Sequence, residues 1–124
     1  MQYTESMLSQ KVKSLKYAMN GLHIAVQQEP NFRLQLALCA AAICLGLFFR
    51  ISPFEWLLII TLSGLVFTAE LFNTALEELC DMLNPTHDPH VAKIKDLSAA
   101  AVLAASVSAL LVGIAVFLPR IVGL

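Results

Sequence analysis

The chain has 124 residues, of which 58% are hydrophobic and only 14% are charged. A soluble domain this short would expose much of that apolar surface to water, so the composition favours a membrane protein. The formal net charge is −1 and no basic patch stands out, which argues against a nucleic-acid partner.

The first predicted element is an amphipathic surface helix over residues 8–28. Apolar side chains recur at helical spacing along one face, while lysines, amides and His23 occupy the other. A basic amphipathic helix beside a membrane span usually lies in the headgroup plane. The pattern leaves two roles open, a surface anchor or a lid over a site.

Three membrane-spanning helices are predicted to follow, which makes the chain an all-α integral membrane protein. Their predicted ranges are 31–50, 53–83 and 89–119. Glu29-Pro30 separates the first span from the surface helix. The apolar run from residue 34 to residue 49 is interrupted only by Gln35.

Capping and turn residues set the ends of these spans. Ser52-Pro53-Phe54-Glu55 has the N-cap, first-turn proline and acidic third position of a capping box, and it opens the second span. Asn84-Pro85 stops that helix, and Asp88-Pro89 supplies the N-cap and first residue of the third.

Basic residues predict the orientation in the membrane. Three spans place the termini on opposite sides, and most basic residues flank the N-terminal end or follow the loop after the second span. These are Lys11, Lys13, Lys16, Arg33, Lys93 and Lys95. Only Arg50 and Arg120 fall on the other side. Because lysine and arginine accumulate on the cytoplasmic side, we expect the N-terminus and the 84–90 loop to be cytoplasmic.

Small residues recur at every fourth position of the third span. They are Ala101, Ala105, Ala109 and Gly113. Such a stripe lets helices approach closely in lipid, so we expect it to serve packing within the chain or between chains.

Four polar residues of the second span share one helix face near its C-terminal end. They are Glu70, Asn73, Glu77 and Asp81. Glu78 points away from this acidic stripe. Acidic side chains this close to a bilayer cost about 2.5–3.5 kcal/mol each on insertion scales, so they are seldom kept without a use. Three uses fit: a proton or ion path, a structural polar interface, or a divalent metal with a phosphate substrate.

Lys95-Asp96 favours the third use. The pair lies early in the third span, just across the cytoplasmic loop, where it can face the acidic stripe. A lysine is a point charge for a phosphate, and carboxylates hold the Mg²⁺ that bridges phosphate oxygens. No GxxxxGK[ST] or GxGxxG motif is present, so any nucleotide must bind without a Walker loop.

The second span also resembles the defining motif of the prokaryotic diacylglycerol kinase family, which includes the undecaprenol kinases. The matching segment is Glu70-Leu71-Phe72-Asn73-Thr74-Ala75-Leu76-Glu77-Glu78-Leu79-Cys80-Asp81. Weaker matches are Asn20-Gly21-Leu22, Glu29-Pro30-Asn31-Phe32-Arg33 and Lys95-Asp96-Leu97-Ser98-Ala99-Ala100-Ala101-Val102-Leu103. Together they cover essentially the whole chain in order.

The resemblance implies roles for individual residues. Glu70 would be the general base that takes the proton of the lipid hydroxyl, and Asn73 would hold the polar geometry of the catalytic site. Glu29 and Glu77 would be the metal ligands that bring Mg²⁺-ATP to the membrane surface. Residues implied in ATP binding are Tyr17, Glu29, Glu77, Thr86, His87, Asp88, Lys95 and Asp96. Residues implied on the lipid side are Glu70, Asn31, Arg33 and Ser98.

The resemblance further implies a homotrimer with active sites shared between subunits, in the inner membrane of a bacterium. Thr74 after Asn73 and the run from His90 to Leu103 look more like the undecaprenol kinase branch, which favours undecaprenol over diacylglycerol as the lipid. The rival hypothesis is a non-enzymatic ion or proton conductor that uses the same acidic stripe. A conductor has no need of Glu29 and Lys95-Asp96 in register with the loop.

Overall fold

Four long helices make up the part of the chain that the structure describes. The structure is a computed structural model, and it describes the backbone of residues 2–83 and 88–124 and the side chains of residues 6–83 and 88–124. The helices are α1 (Gln2–Gln28), α2 (Pro30–Phe49), α3 (Pro53–Leu83) and α4 (Pro89–Ile121). Within these ranges there is no strand, and the predicted all-α class is confirmed.

Helix α1 turns into α2 at a corner held by backbone and side-chain hydrogen bonds. The Glu29 amide donates to the Ala25 carbonyl at 2.9 Å, and Ala25 is buried. Arg33 Nη1 then donates to the carbonyls of Val26 at 2.9 Å and Gln27 at 3.0 Å. These carbonyls lack partners within the last turn of a helix, so the guanidinium caps the end of α1.

The turn between α2 and α3 is tight. Arg50 adopts the left-handed conformation with φ 51°, and the Ile51 amide donates to the Gly46 carbonyl at 3.2 Å. Gly46 is buried against the indole of Trp56. A Cβ at position 46 would stand 2.7 Å from Trp56 Cη2, closer than real side chains approach, so only glycine fits here.

Helices α3 and α4 form the most extensively packed pair. A small core at the end remote from the 84–90 loop buries Ile51, Ile59, Val116 and Phe117. Glu55 takes part in the predicted capping box, because its amide donates to Ser52 Oγ at 3.2 Å and its carboxylate accepts from the Ser52 amide at 3.0 Å. Arg120 also binds that carboxylate through both of its terminal nitrogens, each at 2.8 Å.

Three of the helices, α2, α3 and α4, are long and apolar enough to cross a membrane. Their most apolar stretches bury only 11–17% of their residues inside the chain, so most of their apolar surface faces outward. Such a surface suits a hydrocarbon environment, and the chain is a multi-pass membrane protein. Between residues 6 and 28, the side chains of α1 are exposed except for Ala25.

The three spans enclose an apolar groove of about 510 Å³. Its lining comes from α2, α3 and α4, and it includes Gln35 and, from the predicted small-residue stripe, Ala109 and Gly113. Ala105 of the same stripe is buried. Within the chain, the small-residue stripe is therefore closely packed at Ala105 and borders open space at Ala109 and Gly113.

Candidate functional site

The acidic stripe of α3 passes from the buried interior to the exposed end of the helix. Glu70 is 3% exposed and Asn73 is 9% exposed, whereas Glu77 is half-buried and Asp81 is exposed. Glu78 is exposed, as its angular position off the stripe predicts. Two polar side chains of the stripe therefore lie inside the helix bundle, where they need polar partners.

The buried Glu70 carboxylate has its partner on α2. Gln35 Nε2 donates to Glu70 Oε2 at 3.1 Å. In the sequence, Gln35 stands out only as an interruption of the apolar run. A single amide inside an otherwise apolar span was the signal that could have identified it, because a polar side chain in a span usually meets another polar group.

The buried Asn73 amide has its partner on α4. Ser98 Oγ lies 2.6 Å from Asn73 Oδ1, to which it donates, and 3.0 Å from the carbonyl of Lys95 in its own helix. Ser98 is itself buried. The contact fixes the register between α3 and α4 one helical turn after Lys95.

Lys95 faces the acidic stripe, as its position just across the loop predicts. Its Nζ lies 2.5 Å from Asp81 Oδ1, and the side chains are 37% and 61% exposed respectively. Glu77 also lies within electrostatic range of the ammonium group. Asp96, the next residue, is exposed. The Lys95 ammonium group therefore lies beside carboxylates at the end of the α3–α4 pair that adjoins the 84–90 loop.

Glu29 brings a further carboxylate to this region from the corner between α1 and α2. The pKa of Glu29 is raised above its usual value, first because the carboxylate is partly desolvated and then because Glu77 and Glu70 carry like charges nearby. Arg33 opposes this effect. Carboxylates that repel one another in this way are stabilised when a cation lies between them.

These carboxylates fit a magnesium ion better than a metal that needs an all-protein cage. Among residues 6–83 and 88–124, no three His, Cys, Asp or Glu side chains are arranged to hold a metal. Mg²⁺ commonly takes one or two carboxylates and completes its octahedron with water and phosphate oxygens. Glu29 and Glu77 can supply that number.

The remaining predicted site residues have varied surroundings. Asp88 is the N-cap of α4, where its carboxylate accepts from the His90 amide at 2.7 Å, as the Asp88-Pro89 pattern predicts. Tyr17 is 75% exposed on α1, and Asn31 is exposed at the start of α2. Thr86 and His87 lie outside the described residues.

Known proteins resemble the chain over most of its length. Residues 16–117 match the family described as Prokaryotic diacylglycerol kinase. An undecaprenol kinase of Bacillus subtilis is 32% identical over 114 residues, which cover 92% of this chain and 93% of the relative. A diacylglycerol kinase of Synechocystis is 33% identical over 112 residues, or 90% of this chain and 64% of the relative. A diacylglycerol kinase of Haemophilus influenzae is 30% identical over 103 residues, covering 83% and 87%.

Proposed function

Because this chain belongs to the prokaryotic diacylglycerol kinase family, and is therefore a membrane lipid kinase, we propose that it phosphorylates undecaprenol in preference to diacylglycerol. The phosphoryl donor is ATP, used with Mg²⁺. The observation that carries the proposal is a buried carboxylate, Glu70, on the same helix face as Glu77 and Asp81, with Lys95 opposite. The lipid preference rests on likeness to the undecaprenol kinase of Bacillus subtilis, while two other relatives named diacylglycerol kinase make diacylglycerol the alternative substrate.

Glu70 is the proposed general base. Its carboxylate accepts a hydrogen bond from Gln35, and a carboxylate so held can take a proton from a neighbouring hydroxyl. The lipid hydroxyl gives its proton to Glu70 as its oxygen attacks the γ-phosphorus, and ADP departs with the electrons of the broken bond. Asn73, fixed by Ser98, holds the polar geometry one turn further along α3.

Glu29 and Glu77 are the proposed ligands for Mg²⁺, which when bound neutralises charge on the phosphate oxygens. Lys95 is the proposed point charge for the ATP phosphates. Its hydrogen bond with Asp81 keeps the ammonium group at the end of the stripe until a phosphate competes for it. Further proposed contacts to ATP come from Tyr17, Thr86, His87, Asp88 and Asp96.

Lipid-side residues complete the proposed site. Asn31 and Arg33 lie in the first turn of α2, which we propose to be level with the lipid headgroups. Arg33 holds the corner between α1 and α2, and Ser98 holds Asn73, so both act on the lipid by fixing neighbouring groups.

The proposed setting is the inner membrane of a bacterium, with the N-terminus and the 84–90 loop in the cytoplasm. This orientation follows the excess of basic residues on that side and gives the site access to cytoplasmic ATP. We further propose a homotrimer. The large outward apolar surface of the spans and the small residues of α4 support close contact between copies.

A direct assay tests the kinase and its substrate. Purified protein in mixed micelles receives ATP labelled at the γ-phosphate, Mg²⁺, and either undecaprenol or diacylglycerol in parallel. We expect labelled lipid with both, formed with the higher kcat/KM from undecaprenol. A higher kcat/KM with diacylglycerol would reverse the lipid assignment, and folded protein that labels neither lipid would refute the proposed reaction.

A further inference from the structure

Gln35 is a polar side chain within an apolar span, and the mechanism above gives it no step of its own. We propose that Gln35 is a positioning residue for Glu70, whose amide holds the carboxylate in the orientation that receives the lipid proton. The inference rests on the proposed role of Glu70 as the base. Its first support is the hydrogen bond from Gln35 Nε2 to Glu70 Oε2 at 3.1 Å, which joins α2 to α3.

The orientation of the amide supports a role that depends on charge. Gln35 Oε1 is buried and has no hydrogen-bond partner. A buried, unpaired carbonyl oxygen lowers the stability of the fold, so the other end of the amide must make a favourable contact to offset that cost. Turning the amide over would place Oε1 against the carboxylate oxygens, and two acceptors repel. Glu70 therefore dictates which way Gln35 points, and Gln35 in turn restrains the carboxylate.

An aromatic contact between α2 and α3 restrains the position of Gln35 relative to Glu70. Phe32 lies three residues earlier on the same face of α2, is 2% exposed, and packs against Phe67 of α3 with ring centroids 5.6 Å apart. Phe67 itself lies three residues before Glu70. The aromatic pair holds the two helices together one turn from the hydrogen bond, so the distance between the amide and the carboxylate cannot drift freely.

Gln35 contacts both Glu70 and the apolar groove between the spans. It lines the groove between the three spans, whose other walls are almost entirely apolar. Glu70 itself is 3% exposed, so few waters can orient its carboxylate, and a fixed donor has a larger effect there than it would in solvent. The Gln35 amide thus gives Glu70 the hydrogen bond that water would give an exposed carboxylate, and it holds the carboxylate in a single orientation.

The test is a double-mutant cycle that combines Gln35→Met with Glu70→Gln. Methionine keeps the length and flexibility of glutamine but has no amide. We expect Gln35→Met alone to lower kcat about 10- to 100-fold with KM for ATP unchanged, because the base is misplaced while the nucleotide contacts remain. In the Glu70→Gln background, where no base is left to position, the same change should cause no further loss.

Two companion variants separate positioning from damage. Gln35→Glu keeps size and polarity but replaces the donor with an acceptor, so kcat should fall at least as far. Thr68→Val removes an exposed hydroxyl that donates to the Gly64 carbonyl of its own helix at 2.7 Å, and its kcat should equal that of the wild type. Thermal unfolding of each purified variant reports whether it is folded.

The outcomes distinguish this inference from the proposed function. Equal fold-losses from Gln35→Met in both backgrounds would assign Gln35 a purely structural role and overturn the inference. So would a folded Gln35→Met or Gln35→Glu variant with unchanged kcat. Full activity in Glu70→Gln would overturn the proposed base itself, and with it any role for Gln35 in orienting that base.

Discussion

The replacement of Glu70 by glutamine removes one chemical property and leaves the local structure almost unchanged. Glutamine has the same length, and its Oε1 can accept the hydrogen bond that Gln35 Nε2 now gives to the carboxylate. Glu70 is 3% exposed, so an alanine there would leave a cavity and an unpaired amide, whereas glutamine leaves neither. What glutamine cannot do is take a proton.

The size of the effect follows from that loss. General-base catalysis supplies about 10²- to 10⁴-fold in rate, which corresponds to about 2.7–5.4 kcal/mol of transition-state stabilisation. We expect kcat for lipid phosphorylation to fall within this range. The KM for ATP should stay near the wild-type value, because the base contacts the acceptor lipid and not the nucleotide.

The assay measures initial rates of labelled lipid over a range of ATP and lipid concentrations, with Glu78→Gln as the matched control. Glu78 lies on the same helix but is exposed and off the stripe, so its neutralisation should change kcat little. Equal losses in the two variants would mean that α3 tolerates neither change for structural reasons. If Glu70→Gln changed only the KM for ATP, the role assigned to Glu70 would change from general base to metal ligand.

Two further predictions concern the metal and the turn after α2. Glu29→Gln and Glu77→Gln should each raise the Mg²⁺ concentration needed for half-maximal activity, because a carboxamide keeps the shape but lacks the charge that holds a hard cation. If either variant keeps the wild-type dependence on Mg²⁺, that residue is not a metal ligand. Gly46→Ala should lower stability by about 1–3 kcal/mol, seen as a lower Tm in detergent, since its Cβ would stand 2.7 Å from Trp56. Gly64→Ala, with nothing within 4 Å of its new Cβ, should leave Tm unchanged or raise it, and an equal loss in both would contradict the steric explanation.

Helical periodicity predicted the stripe because it depends on a single helix. The spacing from Glu70 to Asp81 fixes their shared face, and the structure adds that the inner members are buried while Asp81 is exposed. The pairing of Lys95 with the stripe was also predictable, since one short loop separates α3 from α4. Contacts between helices that are distant in sequence were not. No pattern within α2 indicates that Gln35 meets Glu70.

Helix ends were predicted well where a cap or proline marks them and less well elsewhere. The structure extends α1 back to Gln2, ahead of the predicted residue 8, because the polar first residues contain no helix breaker and need no apolar periodicity to be helical. It also carries α4 past Pro119 to Ile121, since a proline near the last turn removes one hydrogen bond without ending the helix. The predicted ATP contacts at Thr86 and His87 remain predictions.

The ion pair between Arg120 and Glu55 connects α3 to α4. It is bidentate and lies at one end, while the opposite end is joined by the exposed pair of Lys95 and Asp81. Between Glu55 and Asp81 the helix rises about 39 Å at 1.5 Å per residue. On a lever of that length, a rotation of about 4° moves the far end by about 3 Å. The buried hydrogen bond between Ser98 and Asn73 lies between these two ends, so it opposes such a rotation and helps to keep Lys95 beside Asp81.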